Sequence, residues 1–142
     1  MDSDIFEALF DIVTFFDQPQ RDRCLLQRAR VHLEPAALPI VVWVARQPNI
    51  SVGQLADHIG RNHSSVSRQV DRLMAAGWLE EPDRRDQRVR RLTLSAAGHQ
   101  GLLRIQLARA AELQERLSDY SAADRVELLR VLQRLAQTLQ VK

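Results

Sequence analysis

The chain has 142 residues, 45% of them apolar, a formal net charge of +2 and a pI near 9.3. That is one domain's length with enough apolar residues for a real core, and too little net charge for the whole molecule to act as a polycation. No run approaches the roughly 20 apolar residues of a membrane span, and the amino end lacks the charged-then-apolar order of a secretory signal, so the expected location is the cytoplasm.

The first element is a helix from about Ser3 to Asp17, where Ile5, Phe6, Leu9, Ile12, Val13 and Phe16 recur at helical spacing. Pro19 interrupts that pattern, and a second helical stretch follows through Cys24, Leu25 and Ala29. Cys24 has no second cysteine to pair with and lies in an apolar run, so it reads as a buried structural thiol instead of an oxidation sensor. A third helix is expected from Pro35 to Arg46, carrying Ile40, Val41, Trp43 and Val44. Pro39 falls inside it and should loosen its first turns, because proline removes a backbone donor.

Ser51 with Gln54 three residues on has the form of a capping box, and opens a short helix whose inner face is Val52, Leu55, Ala56 and Ile59. Gly60 ends it, and Asn62 is a favoured cap for the next helix, so Gly60, Arg61 and Asn62 form a tight turn between two helices. The second of these, about His63 to Ala76, puts Val66, Val70, Leu73 and Met74 on one side. Opposite lie Ser64, Ser65, Arg68, Asp71 and Arg72, a face able to meet base edges and phosphates in a major groove. Trp78 to Glu81 then reads as a short strand, Pro82 and Asp83 begin a turn, and Arg88 to Leu94 reads as a returning strand. Between residues 61 and 91 there are eight Arg against five acids, an excess of three positive charges. Five of those arginines sit at or just after the tip of this β-hairpin, and arginine on a narrow ribbon suits a minor groove.

The segments Gln54 to Gly60, Ser65 to Leu73, Gly77-Trp78-Leu79, Asp86-Gln87-Arg88 and Leu94 to Gly98 together resemble the MarR family of winged helix-turn-helix transcriptional regulators. The resemblance covers nearly the whole chain. It departs from the family pattern at Ser95, where a Thr is usual, and at Glu34, where a Thr often precedes the proline. It implies a mainly α fold with a small β-hairpin wing, divided into N-terminal dimerisation helices (1–32), a winged helix-turn-helix module (33–95) and C-terminal dimerisation helices (96–142). It also implies that Arg88 enters the minor groove and that Asp86 helps hold the wing. The full set of expected DNA contacts is Asn62, His63, Ser64, Ser65, Ser67, Arg68 and Arg72 on the recognition helix, and Arg84, Arg85, Asp86, Arg88 and Arg90 on the wing. The family further implies a small aromatic or phenolic effector bound between module and dimer region, where Phe10, Phe15, Phe16, Trp43 and Tyr120 are candidate lining residues.

The C-terminal part should form one helix from about Ala96 to Leu117 and another from Ser121, itself the start of a capping box with Asp124, to about Leu139. Their apolar stripes, Leu102 to Leu117 and Val126 to Leu139, exceed what the small module can cover. A second copy is the expected partner. Two-fold symmetry then implies a pseudo-palindromic double-stranded operator with half-sites ~10 base pairs apart.

No phosphate loop, nucleophile elbow or His-Glu-x-x-His helix is present, and His32, His58, His63 and His99 have no zinc-site spacing, so neither an enzyme nor a cofactor or metal is expected. The leading expectation is a homodimeric repressor relieved by a ligand. Two other readings stay open at this point, an architectural DNA binder without an operator and a winged module that binds protein.

Overall fold

In the computed structural model, residues 1–82 and 88–140 are described. They form α1 (Asp2–Phe16), α2 (Pro19–Ala29), a 3₁₀ turn (Pro35–Ala37), α3 (Leu38–Arg46), β1 (Ile50–Ser51), α4 (Val52–Ile59), α5 (His63–Ala75), β2 (Leu79–Glu80), β3 (Arg91–Leu94), α6 (Ala96–Arg116) and α7 (Ala122–Leu139). The architecture is mainly helical with a small antiparallel sheet in the order β1-β3-β2, a winged helix-turn-helix flanked by long helices.

The chain divides into two units, Met1–Ala108 and Arg109–Lys142. In the first, Ile40, Val41 and Val44 of α3 are fully buried with Leu55 of α4, Val66 and Val70 of α5 and Leu92 of β3. Removing an aliphatic side chain of this size from water is worth about 1.5–3 kcal/mol. Leu25 and Leu26 of α2 and Leu102 and Ile105 of α6 belong to the same core, so the module's interior continues into helices on both sides of it.

The helix expected at Pro35 to Arg46 is divided. Pro35 opens a single 3₁₀ turn, and Pro39 lies in the first turn of α3, where a missing N–H leaves no hydrogen bond unmade. The sheet also has a strand that alternation does not reveal. Ile50 pairs with Leu92 and Ser51 with Arg91, while on the other edge of β3 Leu79 pairs with Leu94 and Glu80 with Thr93.

The capping box at the start of α4 is complete, with the Gln54 N–H donating to Ser51 Oγ at 3.1 Å and the Ser51 N–H donating to Gln54 Oε1 at 3.0 Å. Replacing Ser51 with Ala leaves the first-turn donor without its partner and is expected to cost about 0.5–2 kcal/mol of unfolding free energy. Urea titration of the two proteins reads this directly, and equal midpoints would contradict it.

In the second unit α7 begins at the same device, with Ser121 and Asp124 satisfying each other's backbone donors at 3.1 and 3.0 Å. Arg125 Nη2 donates to the Leu117 carbonyl at 3.0 Å, which satisfies a carbonyl just past the end of α6. No residue of α7 is buried, although its apolar stripe is intact.

Candidate nucleic-acid interface

The helix-turn-helix is built from backbone requirements. At Gly60 the chain turns left-handed (φ 72°), a conformation that glycine adopts without the Cβ penalty, and its N–H donates to the Ala56 carbonyl at 2.8 Å to close α4. Two residues later Asn62 starts α5, its Oδ1 accepting from the N–H groups of Ser64 at 2.8 Å and Ser65 at 3.4 Å. The intervening Arg61 is not a loose turn residue. Its Nη1 donates to the Ala36 carbonyl at 2.6 Å and to Gln69 Oε1 at 3.1 Å, which ties the amino end of α5 to the turn before α3.

Val66, Val70 and Leu73 hold α5 against the core. The opposite face presents Asn62, His63, Ser64, Arg68, Asp71 and Arg72 to solvent, with Ser65 and Ser67 half-buried at its margin. The structure therefore brings six of the seven recognition-helix candidates onto α5, with the seventh, Asn62, as its N-cap. Their side chains are short or forked, and the dominant charge among them is positive.

Beside this helix β2 and β3 form the base of the wing. Arg88 is exposed where the chain returns toward β3. Asp83, Arg84, Arg85 and Asp86, the expected turn and wing contacts, lie outside the described residues. Arg91 lies at the start of β3 and donates to the Asn49 carbonyl at 3.1 Å, so it is used within the sheet.

Arg90 has a place that charge counting does not reveal. Its Nε donates to Glu81 Oε1 at 2.5 Å, its Nη2 pairs with Asp71 Oδ1 at 2.9 Å, and its Nη1 donates to Ser67 Oγ at 3.3 Å. Partial burial works against this charge, yet the hydrogen bonds and charges of Glu81 and Asp71 together outweigh it and hold the guanidinium above the ordinary arginine range.

Residues 33–89 match the sequence model of the MarR family. The likeness to that family lies in the winged helix-turn-helix. Solved structures share the fold along nearly the whole length. A MarR family protein from Bacillus stearothermophilus superposes with a TM-score of 0.82 at 23% identity, covering 96% of this chain and 94% of the other. A transcriptional regulator from Thermotoga maritima gives a TM-score of 0.66 at 23% identity, over 96% and 94% of the two chains. A MarR family protein from Mycobacterium tuberculosis, solved as a complex with DNA, gives 0.70 at 20% identity, over 91% and 95%. Among curated proteins no sequence matches the chain.

One expectation drawn from the sequence pattern is corrected. Cys24 is exposed, because α2 turns Leu25, Leu26 and Ala29 inward and leaves the thiol on the outer side. Three of the five aromatic candidates for an effector pocket make other contacts. Trp43 stacks on His58 with ring centroids 4.2 Å apart, and the Arg21 guanidinium lies over Phe15 at 4.3 Å and Phe16 at 4.8 Å. A cleft of about 510 Å³ does open between the end of α2 and α5, lined by Arg23, His32, Glu34, Gln69, Arg72 and Trp78 among others, with none of Phe10, Phe15, Phe16, Trp43 or Tyr120 in its wall. Among the described residues no group of His, Cys, Asp and Glu is placed to hold a metal ion, and no helix is long and apolar enough to cross a membrane.

Proposed function

We propose that this protein is a sequence-specific DNA-binding transcriptional regulator that acts as a homodimer. The observation that carries this reading is the exposed face of α5, where a capped helix presents Asn62, His63, Ser64 and Arg68 at its amino-terminal half beside an arginine-bearing wing. That is the end of a recognition helix that reaches base edges in a major groove. Support for a DNA partner comes from the family and from the relative solved with DNA.

Support for the dimer comes from apolar surface without a cover. Phe6, Phe10 and Val13 of α1 are 67%, 62% and 62% exposed, and Val126 and Leu129 of α7 are 70% and 56% exposed. Contiguous apolar stripes of this kind on a soluble chain mark interaction surfaces. A second copy, with the same stripes, closes them by two-fold symmetry. Repression is the proposed sign of regulation, as the family resemblance implies. A small aromatic or phenolic anion is the proposed effector, and the cleft beside α5 holds Arg23, Arg72 and Trp78 in its wall, together with the carboxylate of Glu34. Such a ligand shifts the protein only if it binds one spacing of the recognition helices better than another.

The reading is tested by fluorescence anisotropy on the duplex upstream of the protein's own gene against a shuffled duplex at two salt concentrations. Preference for the native duplex that survives physiological salt supports it. Equal, salt-sensitive affinity for both would instead fit an architectural binder held by phosphates alone. Within this scheme Arg68→Ala is expected to cost ~1–3 kcal/mol on the operator and to relax specificity at one base position. An equal loss on operator and shuffled DNA would show that Arg68 reads no base.

A further inference from the structure

Arg90 stands where the wing meets the recognition helix, and its contacts run in two directions. Glu81 and Arg90 lie on the two arms of the wing, and their 2.5 Å ion pair joins those arms at the base. Asp71, Ser67 and Met74 occupy positions one turn apart on α5, and the same guanidinium meets all three, at 2.9 Å, 3.3 Å and 3.2 Å to Met74 sulfur. We infer that Arg90 is a positioning residue that clasps the wing to the recognition helix, and that it is not itself a DNA contact. This inference rests on the DNA-binding reading above and refines it, since Arg90 otherwise counts as a wing arginine aimed at phosphate.

First, a guanidinium is a planar fork with five N–H donors, and here one fork serves three oxygen acceptors on two elements, which a lysine ammonium has no geometry to do. Second, the Glu81 side chain is only 11% exposed, so a move of Arg90 to a phosphate breaks a short ion pair with a largely buried carboxylate, which is unfavourable. Third, Asp71 is exposed on the same face as Arg68 and Arg72, and its negative charge faces the DNA unless neutralised. Arg90 neutralises it from behind. A wing fixed in advance also loses less conformational freedom on binding, so the two reading elements meet adjacent grooves without a separate ordering cost.

The clasp makes a prediction of unusual sign. Removing a carboxylate next to a phosphate-binding surface ordinarily tightens DNA binding, but Glu81→Ala is expected to weaken it about tenfold, because the wing loses its registration. Arg90→Lys keeps the charge and is expected to weaken binding as much. Arg90→Gln is expected to lower affinity without changing the slope of log affinity against log salt, whereas loss of a phosphate contact reduces that slope by about 0.9. Wild-type affinity in Arg90→Lys, tighter binding by Glu81→Ala, or a reduced slope in Arg90→Gln would each overturn the clasp.

A measurement without DNA keeps the two readings separate. In ¹⁵N-resolved spectra of the full-length protein the Arg90 Nε–H is expected to exchange slowly with solvent, and Glu81→Ala to abolish that protection while the core amides stay protected. Fast exchange in the wild type would overturn the clasp even if DNA binding is strong. If no duplex binds, the regulatory reading fails, and the exchange of this one proton still decides whether the clasp exists.

Discussion

Gly98→Ala is expected to destabilise the protein by about 3 kcal/mol, at the upper end of what forced overpacking costs. A methyl group at this position would sit 2.2 Å from the Trp78 carbonyl oxygen and 3.2 Å from its carbonyl carbon, both backbone atoms. Neither can rotate away. The approach is close because Ser95 and the start of α6 are bound to the end of the preceding helix-turn segment. The Ser95 N–H donates to the Trp78 carbonyl at 3.0 Å, the Ser95 hydroxyl donates to the Gly77 carbonyl at 2.5 Å, and the Gly98 N–H donates back to Ser95 Oγ at 2.9 Å. One turn on, a methyl at Gly101 would come within 2.4 Å of the Trp78 indole. The two glycines thus form the floor on which Trp78 rests, while its Nε1 donates to the His32 carbonyl at 3.3 Å. The loss should appear as a fall in melting temperature of roughly 10 °C by calorimetry. A melting temperature unchanged within about 2 °C would show that α6 does not approach Trp78 in this way.

The second large effect concerns the apolar face of α1. No residue of that helix is buried, and Phe10 is 62% exposed, so Phe10→Glu removes nothing from the core of its own chain. A glutamate at the centre of a two-fold interface, however, would bury two uncompensated carboxylates close together. The wild type is expected to sediment at twice the 16.3 kDa chain mass at micromolar concentration, and Phe10→Glu at the single mass. Operator affinity should then fall by about 10²–10⁴, because the second half-site is no longer held at high effective concentration. Affinity for a single half-site should change little. A wild type that sediments at 16.3 kDa would contradict the dimer, as would a variant that remains paired.

Most of the fold is legible in the sequence because its signals are local. The capping boxes at Ser51 and Ser121, the Gly60 turn and the apolar stripe of α5 each depend on residues within about one or two helical turns, and each is found in place. The features that escape are set by distant partners. β1 is two residues long and exists because Leu92 and Arg91 lie opposite it, so no alternation announces it. The inward orientation of α2 turns on which side of a short helix faces the core, and Cys24 next to Leu25 gives no period long enough to decide that. Gly98 belongs to a recognisable family segment, but the reason for a glycine there is a backbone 20 residues away.

The candidate site divides along the same line. His63, Ser64 and Arg68 fall on the exposed face of α5 by helical spacing alone. Arg61 and Arg90 do not read correctly from charge, because a net excess of three positive charges treats every arginine between residues 61 and 91 as equally available. In three dimensions Arg61 and Gln69 brace the amino end of α5, and Arg90 is enclosed by Glu81 and Asp71. The positive charge available on this face is therefore smaller and more directional than the sequence total. Specific hydrogen bonding by Arg68 and the N-terminal polar side chains gains weight relative to general attraction.

In the proposed dimer two copies of α5 read a defined operator. The most direct test is repeated selection of bound duplexes from a random-sequence library by the full-length protein at physiological salt, followed by sequencing. The account predicts enrichment of one pseudo-palindromic motif whose half-site centres lie ~10 base pairs apart, as two recognition helices on one face of the duplex require. Recovery of duplexes with no common sequence, or of none above background, would contradict it.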